Sequence, residues 1–450
     1  MIAASRPRLA DHVVARLFRQ GSEERLVLLD ARDDRAVVLA AMAWSVLCHA
    51  DGTRDVAGIA AAARRFGADV GPDAITQMLA DLDRLGWIAD GAPEAVLEGL
   101  PQPLAPDDTR SIREMVAARY RCDGRGGCCR SYPTISLTPD DVHRACATMA
   151  EDPALAHRHH RVLLPTFGSA PTPMRAISLV DGGCRFLESD GACGVHRRGG
   201  ATAKPIGCAW YPTRLVDDGD EIRAAPAIEC ACPARPDPTA APLVVADLRA
   251  CDLPLGVTLV RVPGQIVWGG RSIERADAIC GTEHLRARED PPKALWTWAR
   301  ALVDTRAWCD PPSNAAIDSQ RVAARCASVA ARAGTRAAVE KTWRTADDIV
   351  VRRLETIALA ARLLSAPVAA ALVVDGETPD PLERHVLEVA VFARGLLVTD
   401  DLVRAAEDLA LQMWLARAVA AFADADDDVT LRETPLAAVT ATWRAQRLGG

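Results

Sequence analysis

The alternation of apolar and polar positions in the first hundred residues predicts a small α+β unit. Apolar runs at 26–29 and 36–39 flank the turn-rich stretch 30–34, a pattern typical of a β-hairpin. An apolar helix is expected to follow and to end near His49, because turn-forming residues come directly after it.

Two amphipathic helices are predicted next. The first begins after a cap at Thr53, and the second opens at Pro72 and ends at Gly86. The inward-facing residues recur at helical spacing: Val56, Ile59 and Ala63 in the first helix, and Ile75, Leu79 and Leu82 in the second. Trp87 and Ile88 then suggest a strand, so that the segment as a whole is winged-helix-like.

The second half of the chain changes from strands to helices. Residues 243–275 alternate apolar and turn residues, which indicates a few strands, and from about residue 290 onward the spacing is helical. One helix, interrupted by Pro367, is expected to bury Val351, Leu354, Ala358 and Ala361 on one face. Two more amphipathic helices are predicted at 381–397 and 400–423.

These patterns predict an α+β multidomain protein. We expect a winged-helix-like domain at 1–92, a proline-rich linker at 93–108, a loop-rich cysteine-cluster metal domain at 109–280 and an α-helical region at 281–450. The helical region contains no dense set of polar residues, so it is interpreted as a packing scaffold or a docking surface.

The amino-acid composition and net charge exclude several classes of protein. The chain has 450 residues, of which 49% are hydrophobic and 25% are charged, as in soluble globular proteins. The net charge of -7 argues against a protein that mainly coats nucleic acid or an anionic membrane. No signal-peptide pattern and no membrane-spanning apolar run are found, so we expect a cytoplasmic protein whose thiols stay reduced.

Fourteen cysteines are therefore unusual. Nine of them lie between residues 122 and 232, and eight of these, all but the isolated Cys146, are treated as a cluster. Several follow glycine, which lets a backbone bend closely around a metal. Structural zinc takes four Cys or His ligands, and iron–sulfur clusters usually take four thiolates, so eight cysteines suffice for two sites or for one site with spare thiols. The six isolated cysteines are interpreted as small buried side chains: Cys48, Cys146, Cys251, Cys280, Cys309 and Cys326.

The clustered residues also resemble a known family. The pattern Cys-x5-Cys-Cys, then Cys-x-Phe-Leu, Gly-x-Cys, Lys-Pro-x-x-Cys-x-x-Tyr-Pro and Cys-Pro over about 118–235 resembles the YkgJ-type cysteine-cluster family. Its members are described as zinc- or iron-chelating, and the flagellin lysine methylase FliB is similar. Lys204 and Ala209 depart from the family, which usually has Arg at both positions, and a proline-rich insertion lies around 165–173.

The resemblance implies a set of metal ligands, to which Cys230 is added: Cys122, Cys128, Cys129, Cys184, Cys193, Cys208, Cys230 and Cys232. All-thiolate ligation suits both zinc and an iron–sulfur cluster, for instance of the 4Fe–4S type, so the metal and its nuclearity stay open. Because adjacent cysteines share one metal only with strain, Cys128 and Cys129 are expected to serve different ions.

Histidines are weaker candidates. His196, three residues after Cys193, is a candidate for a mixed site but is better interpreted as a solvated or supporting side chain. The run that contains His157, His159 and His160 is better interpreted as an exposed polar face.

The N-terminal pattern is similar to the PqqD family, whose small domains hold leader peptides by adding a strand to a sheet edge. That resemblance implies a peptide or protein partner. A DNA-binding winged helix is the alternative, but residues 75–85 carry one basic residue, Arg84, against the acids Asp81 and Asp83.

Three functions are compatible with these features. The first is a metal-binding protein that recruits a peptide or protein and takes part in its modification or maturation. The second is an enzyme, a FliB-like lysine N-methyltransferase that uses S-adenosylmethionine, although no glycine-rich nucleotide fingerprint follows a predicted strand. The third is a DNA-binding regulator whose cluster senses metal or redox state. The sequence does not decide whether the chain is an enzyme.

Overall fold

The computed structural model describes most of the chain, with gaps. The described residues are 5–10, 12–20, 23–30, 35–65, 68–91, 107–115, 119–122, 124, 126–131, 136–150, 163–165, 175–177, 179–180, 183–228, 230, 232, 237–244, 247–254, 257, 259–305, 317–344, 348–374, 381–392, 395–397, 401–420 and 435–446. Three predictions lie outside them: most of the linker 93–108, the histidine run at 157–160, and Cys309. The side chains of Cys128 and Cys146 are also outside them.

The described residues form a mixture of helices and small sheets, which confirms the α+β class. The strands are β1 (Pro7–Leu9), β2 (Val13–Gln20), β3 (Glu23–Asp30), β4 (Ala36–Ala40), β5 (Ile88–Asp90), β6 (Ile112–Glu114), β7 (Ser136–Leu137), β8 (Leu163–Pro165), β9 (Arg175–Ile177), β10 (Leu179–Val180), β11 (Gly183–Cys184), β12 (Thr213–Asp217), β13 (Ile222–Pro226), β14 (Leu259–Arg261), β15 (Gln265–Trp268) and β16 (Arg271–Glu274). They pair in the orders β1-β5, β2-β3-β4, β7-β9-β8, β10-β11, β14-β12-β13-β6 and β15-β16.

The helices become longer toward the C-terminus. They are α1 (Met42–Leu47), α2 (Val56–Arg65), α3 (Pro72–Arg84), α4 (Gly127–Ser131), α5 (Pro139–Ala150), α6 (Gly194–Ala203), α7 (Ile206–Trp210), α8 (Arg275–Glu283), α9 (Pro291–Thr305), α10 (Ser319–Glu340), α11 (Ile349–Leu364), α12 (Pro367–Val374), α13 (Pro381–Phe392), α14 (Leu402–Ala420) and α15 (Pro435–Gln446).

The chain divides into two compact units. The first unit comprises Met1–Leu100, Tyr132–Ala209 and Ala338–Asp348, and the second comprises Pro101–Ser131, Trp210–Ala337 and Ile349–Gly450. Both units are therefore built from segments that are distant in sequence, and residues 109–280 contribute to each of them.

The first unit begins with the predicted hairpin. Strands β3 and β4 pair antiparallel, with Leu26 opposite Leu39. Strand β2, which the sequence pattern did not reveal, extends the same sheet by pairing with β3 over its full length. Helices α1 to α3 pack on one face of this sheet around Leu26, Leu28 and the fully buried Trp87.

The second face of this sheet is also covered. Phe18 and Val27 pack with Trp343, which comes from the last segment of the first unit. The rings of Phe18 and Trp343 lie 5.7 Å apart, and the guanidinium of Arg344 stands over Phe18. Strand β3 is consequently buried on both faces, which explains why it has consecutive apolar residues rather than an alternating pattern.

Helix α3 matches its prediction, whereas the predicted cap of α2 is wrong. Helix α2 begins at Val56, and Oδ1 of Asp55 accepts a 2.8 Å hydrogen bond from the N–H of Gly58. Thr53 instead donates its hydroxyl to Asp51, 2.5 Å away. Asp55 is thus the N-cap, because its side chain reaches the third amide of the helix and that of Thr53 does not.

The second unit combines a four-stranded sheet with the C-terminal helices. Its main core joins strands β12 and β15 to helices α8 to α15, and the rings of Trp296 and Trp414 pack at its centre, 5.4 Å apart. Helix α11 buries the four predicted residues Val351, Leu354, Ala358 and Ala361. A new helix, α12, starts at Pro367, because proline is tolerated in a first turn.

No single helix among the described residues has the length and apolarity to cross a membrane. Helices α11 and α12 meet the criterion only when taken together, and they are bent by 101° with respect to each other.

Candidate functional site

The sheet of the second unit brings two cysteine-bearing segments to one end. Strands β6 and β13 are parallel neighbours, with Ile112 opposite Ile222 and Glu114 opposite Ala224. Because parallel strands end at the same edge of a sheet, the segments that follow them start side by side. The segment after β6 leads to Cys122, and the segment after β13 leads to Cys230 and Cys232.

These three cysteines all act electrostatically on one phenol, that of Tyr120. Burial raises the pKa of Tyr120 well above its usual value, and the negative charges of Cys230, Cys122 and Cys232 raise it further. A hydrogen bond with Thr213, at the start of β12, lowers the pKa of Tyr120 and so partly offsets these effects. We call Cys122, Cys230 and Cys232 the thiol cluster. Their common effect on Tyr120 indicates that each of the three lies within electrostatic range of its phenol.

Polar contacts hold the segment that carries Tyr120. The N–H of Asp237 donates a 2.8 Å hydrogen bond to the carbonyl of Arg119, and the guanidinium of Arg121 lies 3.4 Å from the Asp237 carboxylate. On the other side, Arg119 lies 3.4 Å from Glu114. The segment is therefore tied to the end of β6 and to the chain that follows Cys232.

A further pair of predicted ligands lies on the short helix α4. It follows two glycines with positive φ, Gly124 at 71° and Gly126 at 69°, a conformation that glycine adopts without steric cost. Helix α4 packs against α11 and α15, and it carries the half-buried Cys129 and the backbone of Cys128. The sharp backbone bends that glycine was predicted to allow are thus present next to these cysteines.

A small pocket adjoins Cys230. Its cavity volume is about 10 Å³, and its lining consists of the end of β13 with the segment after it, one side of helix α13 and Ala437 of α15. His385 of α13 lines it as well. Burial lowers the pKa of His385, against the effect of the nearby Glu388 carboxylate, so the imidazole is neutral at neutral pH. Among the described atoms its Nε2 is buried without a hydrogen-bond partner.

The other three predicted ligands belong to the first unit. Cys184 ends the hairpin of β10 and β11, where it is opposite Leu179, and Cys193 forms a β-bridge with Leu187. Both thiols are half-buried against the small core around Leu137 and Phe186. These two cysteines therefore share one environment within the first unit.

Cys208 lies on the short helix α7 and is half-buried. The start of this helix is fixed by the fully buried Asp141, whose Oδ1 accepts a 2.9 Å hydrogen bond from the N–H of Ile206. Asp141 also accepts a hydrogen bond from the N–H of Thr138 and faces Arg144. His196, the alternative ligand, is exposed on α6.

The interpretation of the isolated cysteines is partly wrong. Cys326 is fully buried in the core of the second unit, as predicted. Cys251 and Cys280, however, are exposed. Cys251 lies on a short 3₁₀ turn, and Cys280 is on α8, whose buried residues are Ala278, Gly281 and Thr282.

All described cysteines are thiols, and no disulfide joins them. Among the described residues, no three His, Cys, Asp or Glu side chains stand as a group that can hold a metal ion. The chemistry of the donors nevertheless fits a soft metal, since half-buried thiols and a neutral imidazole are the ligands that zinc and iron–sulfur clusters take.

Sequence reasoning missed Tyr120, Thr213 and His385. Tyr120 is only two residues before Cys122, and an aromatic residue with a polar end beside a cysteine island is a usable signal. His385 has no such signal, because it lies more than 150 residues from Cys230 in a helix of ordinary amphipathic pattern.

Comparison with known proteins finds no match: no protein-family model, no curated protein and no solved structure matches the chain. The resemblances to the YkgJ-type and PqqD families stay predictions.

Proposed function

We propose that the chain is a metal-binding cysteine-cluster protein, and that the thiol cluster of the second unit is its main binding site. The observation that supports this most directly is the parallel pairing of β6 with β13, which starts the segments leading to Cys122, Cys230 and Cys232 at one edge of the sheet. All three are thiols, Cys122 exposed and Cys230 and Cys232 half-buried, and their thiolate forms are soft donors for a metal.

A bound metal would cross-link the segments that follow β6 and β13. A divalent ion would also neutralise part of the negative charge of the thiolates. Cys128 and Cys129 are the other predicted donors in the same unit. Cys184, Cys193 and Cys208 are proposed as the donors of the first unit. Zinc and an iron–sulfur cluster are the two metals that this donor set suits.

The test compares two cysteines of the second unit. The full chain, purified without air, is analysed for zinc, iron and sulfide, and Cys230→Ser is compared with Cys251→Ser, whose thiol is exposed and outside the thiol cluster. We expect bound metal in the wild type and in Cys251→Ser, and loss of at least one equivalent in Cys230→Ser. A wild type without metal, or equal metal in all three proteins, contradicts the proposal.

We further propose that the first unit recruits a peptide or protein for modification or maturation. The supporting observation is the sheet β2-β3-β4, in which β4 is an edge strand. No described strand pairs with its outer side, and Val38 on this strand is 39% exposed. An exposed edge strand with an apolar side chain accepts an added strand.

Peptide selection from a random phage-displayed library on the immobilised full chain tests this proposal. Selected peptides should bind Val38→Lys at least about tenfold more weakly, because a charge on an edge strand opposes strand addition. Leu359→Lys, which changes an exposed apolar residue of the second unit, should bind them as the wild type does. Equal binding by all three proteins contradicts recruitment at β4.

DNA binding by α3 is less favoured. Its one basic residue, Arg84, pairs with Asp81 at 2.5 Å, so no free positive charge is left on this helix for phosphate contacts.

A further inference from the structure

Helices α11 and α12 of the second unit carry a concentration of exposed apolar side chains. Of the seven exposed large apolar residues among the described ones, four lie on these two helices: Leu359, Leu363, Val368 and Leu372. The two leucines of α11 are about half exposed, and the two residues of α12 are 75% and 73% exposed. Apolar side chains gathered in one place mark an interaction surface, whereas singly scattered ones do not.

The exposed face of α11 is a stripe centred on Leu359. Successive residues of an α-helix are rotated by about 100° about its axis, and at this spacing the buried residues of α11 occupy one half of its circumference. Glu355, Arg362 and Leu363 are exposed and lie within about 60° of Leu359 on the other half. The stripe therefore combines apolar side chains with one acid and one base.

The two charged residues flank Leu359 almost symmetrically. Glu355 precedes it by four residues and Arg362 follows it by three, on the same side of the stripe. With a rise of 1.5 Å per residue, the two residues lie about 6 Å before and about 4.5 Å after Leu359 along the helix. A two-fold axis through Leu359, perpendicular to the helix, consequently brings Glu355 of each copy opposite Arg362 of the other.

We propose that α11 packs antiparallel against α11 of a second copy of this chain, about a two-fold axis near Leu359. The axis places Leu359 against its own counterpart, Leu363 adds apolar area beside it, and the ion pair of Glu355 with Arg362 forms twice. A parallel pair offers no such match, because the charged sides of the two copies then lie on opposite edges of the contact. The proposal does not depend on metal binding.

A lipid surface matches this stripe less well than a second copy does. Helices that lie in a membrane interface carry mainly basic residues beside their apolar face, whereas the stripe of α11 includes the acid Glu355. The net charge of the chain is -7, which an anionic bilayer repels. An antiparallel copy of the same helix complements both charges, and this complementarity is the reason for choosing it as the partner.

Sedimentation velocity of the full chain across a concentration series tests the proposal, and the wild type should form a reversible dimer. Leu359→Glu places like charges at the axis and should be monomeric. Glu355→Arg and Arg362→Glu should each weaken the dimer about tenfold, because two attractive pairs become repulsive. Arg271→Glu, the same charge reversal at an exposed residue of β16, should dimerise as the wild type does. All four positions are exposed, and circular dichroism checks that the variants fold.

The most specific measurement mixes the two charge variants. Glu355→Arg has only positive charges at the two positions and Arg362→Glu only negative ones, so the mixture should associate more tightly than either variant alone. Both substitutions on one chain should restore the affinity of the wild type.

Three results overturn the proposal. The first is a wild type that is monomeric at every concentration, and the second is a dimer that persists in Leu359→Glu. The third is a mixture of Glu355→Arg and Arg362→Glu that associates no more tightly than its components. A monomeric wild type that floats with phosphatidylcholine vesicles, and loses this binding in Leu359→Glu, would assign the stripe to a lipid surface instead.

Discussion

The buried carboxylate of Asp141 accepts a hydrogen bond from the backbone N–H of Ile206, 65 residues later in the chain. The same carboxylate accepts a hydrogen bond from Thr138 N–H, while the Thr138 hydroxyl accepts one from Asp141 N–H, which forms a capping box at the start of α5. One side chain therefore caps two helices, and the second of them carries Cys208.

Replacing Asp141 should loosen both helices. In Asp141→Ala two backbone N–H groups lose their acceptor, so we expect the free energy of unfolding to fall by about 2–4 kcal/mol. Urea denaturation measures the loss, and hydrogen exchange should show faster exchange at Ile206. Asp140→Ala, one residue earlier and exposed, is the matched control and should change the stability by less than about 0.5 kcal/mol. Equal effects of the two substitutions would refute the double cap.

The ion pair of Arg417 and Glu383 should be a strong stabilising contact of the second unit. Arg417→Met leaves the Glu383 carboxylate buried without its partner, and we expect a loss of about 3 kcal/mol in unfolding free energy. The double variant Arg417→Met, Glu383→Leu should lose less than Arg417→Met alone, because no buried charge remains. Arg404→Met, at an exposed position of the same helix, is the control. A double variant less stable than the single one would contradict this account.

The buried thiol of Cys326 should make stability depend on alkaline pH. Burial raises the pKa of Cys326 to about 12 from an ordinary value of 9.0. The unfolded thiol ionises first, so the native state binds more protons between these values and its stability falls as pH rises through them. Between pH 8 and pH 10 this group should remove about 1.4 kcal/mol.

The measurement is the difference between unfolding free energies at pH 8 and pH 10. In Cys326→Ala the alkaline decrease should be smaller by this amount, whatever the cost of the cavity, because the cavity affects both pH values equally. Cys251→Ala should keep the full decrease, since that thiol is exposed. Identical pH dependence in the wild type and in Cys326→Ala would show that Cys326 ionises normally.

Asp55 should stabilise α2 more than Thr53 does. Asp55→Ala removes the acceptor of the Gly58 N–H and should cost about 1 kcal/mol. Thr53→Ala removes only a partly solvated contact with Asp51 and should cost less. Urea denaturation gives the loss of unfolding free energy in each variant. A larger loss in Thr53→Ala than in Asp55→Ala would show that Thr53 is the N-cap.

The elements that the sequence predicted well are those whose cause is local. Helix α3 has a proline at its first position and apolar residues at helical spacing, and it was predicted to within a residue or two. Strand β2 was missed because Arg16 and Arg19 interrupt its apolar residues, and its partner β3 supplies the pairing. The cap at Asp55 was missed because Thr53 and Asp55 both have a side-chain oxygen that can cap a helix, and backbone geometry selects one of them.

The same distinction applies to the candidate site. The cysteines could be singled out because of their spacing and their glycines, but their division between two units could not, since it follows from contacts between distant segments. The parallel pairing of β6 with β13, on which the thiol cluster depends, has no signature in either short strand. The position of His385 in the pocket could not be predicted either, because it results from the packing of α13 near Cys230.

The separation of β6 and β13 in the sequence has a consequence during translation. Strand β6 obtains its neighbour only after about 110 more residues have been added, which takes roughly 6–22 s at 5–20 residues per second. Until then the nascent chain displays Cys122 without Cys230 and Cys232, and α13 has not yet been synthesised. Under the proposed function, metal uptake by the thiol cluster is therefore expected to be a late event of biogenesis, and the thiols of the growing chain need protection from oxidation in the meantime.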